Sequence, residues 1–151
     1  MKRHPILNKG EVAYFLLRLT LGTNLFLHGL SRLIGDHAAF AGYLEKQMHS
    51  ASLPGFLVHF VAAVLPWCEG TVGFLMMIGL WTSAALIFGS LLMLLLQIGS
   101  CLAQNWDMAG SQLIYVLLLF LLLTYSESNR WSLDWYMEAG RKARDNVVGD
   151  V

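Results

Sequence analysis

Four long apolar runs decide what this chain can fold into. They cover about Val12 to Ile34, Phe56 to Leu80, Ser83 to Leu102 and Gln112 to Tyr125. A hydrocarbon layer about 30 Å thick takes roughly 20 apolar residues as a helix, which three runs satisfy outright and the last reaches by extension through polar positions. No segment alternates with period two, so a barrel is excluded, and backbone hydrogen bonding in lipid then leaves helices. The expected fold is all-α: an integral membrane four-helix bundle forming one domain over residues 1–151. Composition agrees: 56% of the 151 residues are hydrophobic, 13% are charged, and the mean hydropathy is +0.56. A formal net charge of zero argues against a nucleic-acid partner.

The connections set the topology. Only "LWTS" separates the second and third runs, giving an antiparallel hairpin, and the polar "AQNWDMAGS" joins the third to the fourth. Between the first and second lies "GDHAAFAGYLEKQMHSASLPG", in which Phe40, Tyr43 and Leu44 fall at helical spacing. This reads as a short amphipathic helix in the membrane interface between spans 1 and 2. The opening "MKRHPILNKG" is basic but has no small-residue cleavage site at signal-peptide distance, so the first run is expected to be retained. Four spans put both termini on one side. Lys2, Arg3 and Lys9, with Arg130 and the tail of about 137–151 carrying Arg141, Lys142 and Arg144, place that side in the cytoplasm of a bacterial inner membrane. Arg32 and Lys46, on the outward side, vote against that orientation.

Polar residues inside the runs mark candidate sites. With a rise of about 1.5 Å per residue, Arg18 lies roughly 10 Å in from the cytoplasmic end, while Asn24 and Glu69 come near the midplane. Gln97, Gln112 and Tyr115 fall in the middle or outer half, and His28 near the outer surface. Buried ionisable groups are costly enough, about 2.5–3.5 kcal/mol each, to face a partner or a cavity. One reading pairs Glu69 with Arg18 structurally, their levels differing by about one turn. The other makes them a proton and charge pair at a ligand site. The stretch "PWCEGTVG" adds a helix-bending Pro66, a flat Trp67 and the small residues Gly70 and Gly73 around that carboxyl. Haem ligation by His28 and His59 is geometrically conceivable, though no attachment motif accompanies them and no residue spacing demands a metal. Cys68 and Cys101 differ in level by roughly 10 Å, too far for a disulfide.

The order of these motifs resembles the DoxX-like membrane proteins. The span "LLRLTLGTNLFLHGLSRL" is similar to their arginine–leucine–glycine–histidine–glycine opening, "LPWCEGTVGFLMMIGLWT" to their proline–X–X–glutamate–X–X–glycine span, and "WSLDWY" to their serine–X–aspartate end. Arg18, Gly22, His28, Gly29, Pro66, Glu69, Gly73, Gly79, Ser132 and Asp134 carry the pattern. Two features depart from it: "SESNR" replaces a glycine–proline–glycine turn, and Trp81 and Thr82 stand where an arginine follows span 2. The resemblance implies a four-helix inner-membrane protein related to quinone-linked thiosulfate oxidoreductase subunits. The headgroup of a quinone or a similar amphipathic molecule would then meet Glu69, Asn24, His28, Trp67, Gln97 and Tyr115, and electrons would come from a redox partner protein or a bound cofactor. If the chain turns anything over, it does so as a quinone-linked oxidoreductase subunit; nothing in the residues establishes catalysis. Two other readings stand beside it: a non-catalytic scaffold or assembly subunit for a partner enzyme, and a small-molecule transporter, which at this length would have to form a homo-oligomer.

Overall fold

The computed structural model describes residues 8–48 and 53–149. Those residues form six α-helices: α1 (Lys9–Ile34), α2 (His37–Met48), α3 (Gly55–Ile78), α4 (Thr82–Leu102), α5 (Trp106–Thr124) and α6 (Leu133–Gly149), with a 3-10 turn at Ser126–Ser128. Among the described residues there is no strand. His4, Lys2, Arg3 and His49 lie outside them.

Capping sets the helix starts, and it moves two expected boundaries. Asn8 accepts the Gly10 amide through its side chain at 3.0 Å, so α1 begins at Lys9 instead of Val12. Asn105 does the same for α5, taking the Met108 amide at 3.1 Å. The expected polar loop before residue 112 is therefore mostly helix, with Asp107 in the first turn, where the helix dipole favours an acid. Asp36 caps α2 by accepting the amides of Ala38 and Ala39, at 2.8 and 3.3 Å. The amphipathic helix expected between the first two runs is this α2. The tail expected over 137–151 is helical up to Gly149, supported on its exposed face by an i,i+4 pair of Glu138 and Lys142 at 2.7 Å. Its hydrogen bond to Lys142 holds the Glu138 carboxyl below the usual carboxylate range.

Three helices, α3, α4 and α5, are long and apolar enough to cross a membrane, and the chain is a membrane protein. α1 is longer than any of them but carries Arg18, Asn24, His28 and Arg32, and does not reach the same apolar level.

α1 packs most extensively on α3, and the two run antiparallel. Gly22 faces Gly73 and Met77, while Gly29 faces Pro66 and Gly70. The backbones touch at these points: a Cβ on Gly29 would overlap the Gly70 amide nitrogen and the Pro66 carbonyl oxygen. One on Gly73 would overlap the Phe26 amide nitrogen. Small residues allow this approach, and dispersion between close backbones is what holds helices together where lipid competes for apolar surface. α3 continues unbroken through Pro66, which is buried.

A tight turn joins α3 to α4. Gly79 adopts φ +69°, a left-handed conformation that suits glycine, and ends α3 with its amide on the Leu75 carbonyl at 2.9 Å. α5 folds back along α4, placing Leu119 beside Gly89 and Gln112 beside Ser100. Leu25, Met76, Leu86, Leu119 and Leu122 fill the shared core. The outward faces carry apolar side chains such as Leu94, Leu117 and Phe120, as a lipid-facing surface does.

Candidate functional site

The candidate polar residues separate into groups at different levels of the helices. At the end shared by the start of α1, the end of α3 and the start of α6, Arg18 is fully buried. Its Nη1 donates to the Met76 carbonyl and, at 3.4 Å, to that of Met77; its Nη2 donates to the Trp131 carbonyl at 2.7 Å. The last carbonyls of α3 form the negative end of its dipole, and that of Met76 otherwise receives only a share of the Gly79 amide, at 3.3 Å, so the guanidinium supplies the donors this end lacks. Asp134 completes this corner from the other side. Its two carboxylate oxygens accept the Trp81 and Thr82 amides at the start of α4, each at 2.7 Å. Arg18 and Asp134 thus fasten opposite helix ends, a cation on the C-terminus of α3 and an anion on the N-terminus of α4.

Glu69 is not paired with Arg18. Its Oε2 accepts a hydrogen bond from Arg32 Nη1, the side chains being 5% and 26% exposed respectively. The Arg32 guanidinium also lies over the Phe40 ring of α2, 4.9 Å from its centroid. Arg32 therefore ties the far end of α1 to α3 and α2 together. The expected Arg18–Glu69 pair fails on register. The glycine contacts set Arg18 opposite Met76 and Met77, some eight residues from Glu69, or about 12 Å along the helix.

Midway between these groups, Tyr115 of α5 donates its hydroxyl to Asn24 Oδ1 of α1 at 2.8 Å. Two of the expected ligand-binding residues are thus brought together, satisfying each other. Trp67 stands 64% exposed on the outside of α3 and lines nothing with Glu69. It sits two residues before Glu69, which on a helix turns it some 200° away. Gln97 donates to Cys101 Sγ at 3.7 Å within its own helix. His28 is exposed, and His59 donates from Nε2 to Glu45 Oε1 at 2.9 Å on the surface. Among the described residues no three His, Cys, Asp or Glu side chains come close enough to hold a metal ion, and both cysteines are free.

A quinone is what the resemblance implied here, and the residues do not fit it. The Glu69 carboxylate is taken by Arg32, the Asn24 oxygen by Tyr115, and Trp67 faces outward. They do not converge on one volume.

Cavities occur elsewhere. One of about 240 Å³ lies beneath α2, between it, α3, α4 and the start of α5, with Ser100, Asn105 and Gln112 among apolar neighbours. A second apolar groove of similar size, lined by Val64, Cys68 and Phe88, opens between α3 and α4. Outside the helix layer, a polar cleft of about 510 Å³ is bounded by Trp81, Asp134, Glu138 and Arg141. Glu69 lines none of the three.

Arg32 and Ser100 are the residues that sequence reasoning passed over. In the sequence Arg32 reads only as a charge on the outward loop. Its signal was available in the antiparallel glycine spacing, which brings the end of α1 beside the first half of α3.

Compared with known proteins, residues 10–111 match a family model described as methylamine utilisation protein MauE. No curated protein and no solved structure matches the chain significantly. The expected membership of the DoxX-like proteins is corrected by this match, which covers two-thirds of the chain and names a different family. The reason is physical: Gly22, Gly29 and Gly73 are close-packing contacts and Arg18 and Asp134 are helix-end fasteners. Any pair of tightly packed antiparallel membrane helices calls for such residues, so the motifs report packing more than ancestry.

Proposed function

The chain belongs to the MauE family, and from that membership we propose that it is a membrane accessory protein of methylamine utilisation, acting as a scaffold or assembly subunit for a partner. One observation carries the non-catalytic part of this reading. The ionisable side chains at membrane depth, Arg18, Arg32 and Glu69, are each spent on joining one helix to another. A group held in that way is positioned to keep a shape, and a shape is what a docking subunit supplies.

In this reading α1 is a fourth span. Its length and its antiparallel seam with α3 support that, because a helix joined to a spanning helix from Arg18 to Arg32, about four turns, shares its layer. Both chain ends then lie on the cytoplasmic face of an inner membrane, with Lys9, Arg130, Arg141, Lys142 and Arg144 at that face. The opposite face presents α2 to the partner. A redox partner belongs to this reading only as the protein being assembled.

The experiment is complementation. A methylamine-grown bacterium lacking its own MauE-family protein is supplied with this chain, with Glu69→Gln, and with a variant altered on the exposed face of α2 at Tyr43 and Lys46. Growth on methylamine is expected with the first two and lost with the third, all three being present in the membrane at equal amounts. Loss of growth with a folded Glu69→Gln, and its retention with the α2 variant, would overturn the reading and return chemistry to Glu69.

A further inference from the structure

α1 has two faces, and only one of them is packed on α3. Gly22 and Gly29 make that contact. Thr20 and Leu27, each two residues earlier, are turned some 200° away from it and are exposed. Asn24, Ser31 and Ile34 are exposed as well. Elsewhere α4 and α5 turn Leu94, Leu117 and Phe120 outward, which hydrocarbon accepts. A hydroxyl and an amide in the same surroundings carry a desolvation cost unless another chain bonds them.

The exposed residues of α1 follow a heptad. Thr20, Leu27 and Ile34 stand seven apart, Asn24 and Ser31 stand seven apart, and the two rows interleave at steps of four and three. That spacing is the seam along which two helices pack at a shallow left-handed crossing, in membranes as in water. Asn24 occupies the kind of position at which one asparagine sets register and oligomer state in such pairs. Its oxygen accepts from Tyr115 at 2.8 Å, whereas the two N–H groups of the same amide donate to nothing among the described residues. An amide oxygen takes two hydrogen bonds, so one acceptor site is also left.

We propose that this seam is where two copies of the chain dimerise within the membrane, α1 against α1. Complementarity and topology choose the occupant. No side chain of the seam is charged, and Thr20 and Asn24 each carry both a donor and an acceptor, so the row matches a copy of itself. Copies inserted with the same topology run parallel, and a two-fold axis along the membrane normal brings equal positions to equal depth. Each Asn24 then donates to the remaining acceptor site on Asn24 of the second copy. The proposal rests on the reading of α1 as a span and is independent of what the chain docks.

The test joins copies in the membranes where they are made. With Cys68 and Cys101 replaced by serine, Leu27→Cys is expected to give a disulfide-linked homodimer under a membrane-permeant copper–phenanthroline oxidant, shown between two differently tagged copies. Leu94→Cys and Leu117→Cys, equally open to lipid, are expected to stay monomeric. Purified chains carrying donor and acceptor fluorophores, diluted in phosphatidylcholine vesicles, measure the affinity. Asn24→Leu is expected to weaken it about tenfold, the scale of one hydrogen bond between membrane helices. Tyr115→Phe, which removes only the bond within the chain, leaves it unchanged. No homodimer at position 27, equal cross-linking at positions 94 and 117, cross-linking to a different protein, or unchanged association of the Asn24→Leu chain overturns the proposal. Reaction of the Leu27→Cys thiol with a membrane-impermeant maleimide in opened membranes removes its premise, that α1 is a span. A protected thiol that forms no homodimer overturns the dimer alone. The comparison of positions 27, 94 and 117 keeps Asn24 and Tyr115 in place, so a misfolded variant does not spare it.

Discussion

At the scale of single residues, the chain uses its buried charges as bolts. Glu69 and Arg32 show the consequence most sharply. Removing Arg32 leaves a nearly inaccessible carboxylate with no cation, whereas replacing Glu69 with glutamine keeps an oxygen that Arg32, a quarter exposed, can still bond. Arg32→Gln is therefore expected to cost about 3 kcal/mol, the low end for a broken buried pair. That loss should lower the thermal midpoint in mild detergent by roughly 6–12 °C. Glu69→Gln should lower it by much less, and the double variant should recover part of the Arg32→Gln loss, because the uncompensated charge is gone. Additive losses would show that the two side chains do not couple. The sequence made the importance of Glu69 legible and misidentified its partner. Depth counted from each helix end carries an error of a turn or more in each helix, and an error of about two turns between the two helices is what separates the level of Arg18 from that of Glu69. Register, which the glycines set, decides the matter.

At the scale of elements, two features hold the helices at fixed separations. Gly73 meets the α1 backbone, and backbone cannot swing aside as a side chain can. Gly73→Ala should force α1 from α3 at a cost above about 3 kcal/mol, more than ordinary overpacking. It should also part the two helices at this level, so that cysteines introduced as Phe26→Cys and Phe74→Cys, where the parent ring centroids lie 6.1 Å apart, cross-link in the parent background and not beside Gly73→Ala. The second feature is Asp134, which serves a helix other than its own. Asp134→Ala orphans the Trp81 and Thr82 amides and is expected to cost about 2 kcal/mol, while Asp134→Asn, retaining one acceptor oxygen, should cost about half. Thermal midpoints in detergent distinguish the two. The helices themselves were readable from apolar runs, since lipid demands their length. Their starts at Lys9 and Trp106 were not, because Asn8 and Asn105 act as caps through single hydrogen bonds that a hydropathy average does not contain. Nor was α6, whose exposed, charged turns give no apolar run.

At the scale of the whole molecule, the question is whether α1 crosses the membrane with the three more apolar helices. At about 1.5 Å per residue its 26 residues extend about 39 Å, longer than a hydrocarbon core of about 30 Å. Its polar groups do not oppose a crossing, because the neighbours have already taken them: Arg18 by α3 and the Trp131 carbonyl, Asn24 by α5, Arg32 by Glu69. A hydropathy average counts these residues as if each faced lipid. In the folded chain that cost is largely offset by bonds to helices that span. Aromatic side chains mark both boundaries, Trp81, Trp131 and Tyr136 at one end of the helices and Trp106 and Tyr43 at the other. A spanning α1 puts Lys9 and Ala38 on opposite sides. In a background with Cys68 and Cys101 replaced by serine, a cysteine at Ala38 or Asp107 should react with a membrane-impermeant maleimide on intact cells. A cysteine at Lys9 or Glu127 should react only after the membrane is opened. Labelling of positions 9 and 38 from the same side would make α1 a surface helix. The seam through Gly22, Gly29, Gly70 and Gly73 would then have to form outside the bilayer, where nothing in its composition favours it.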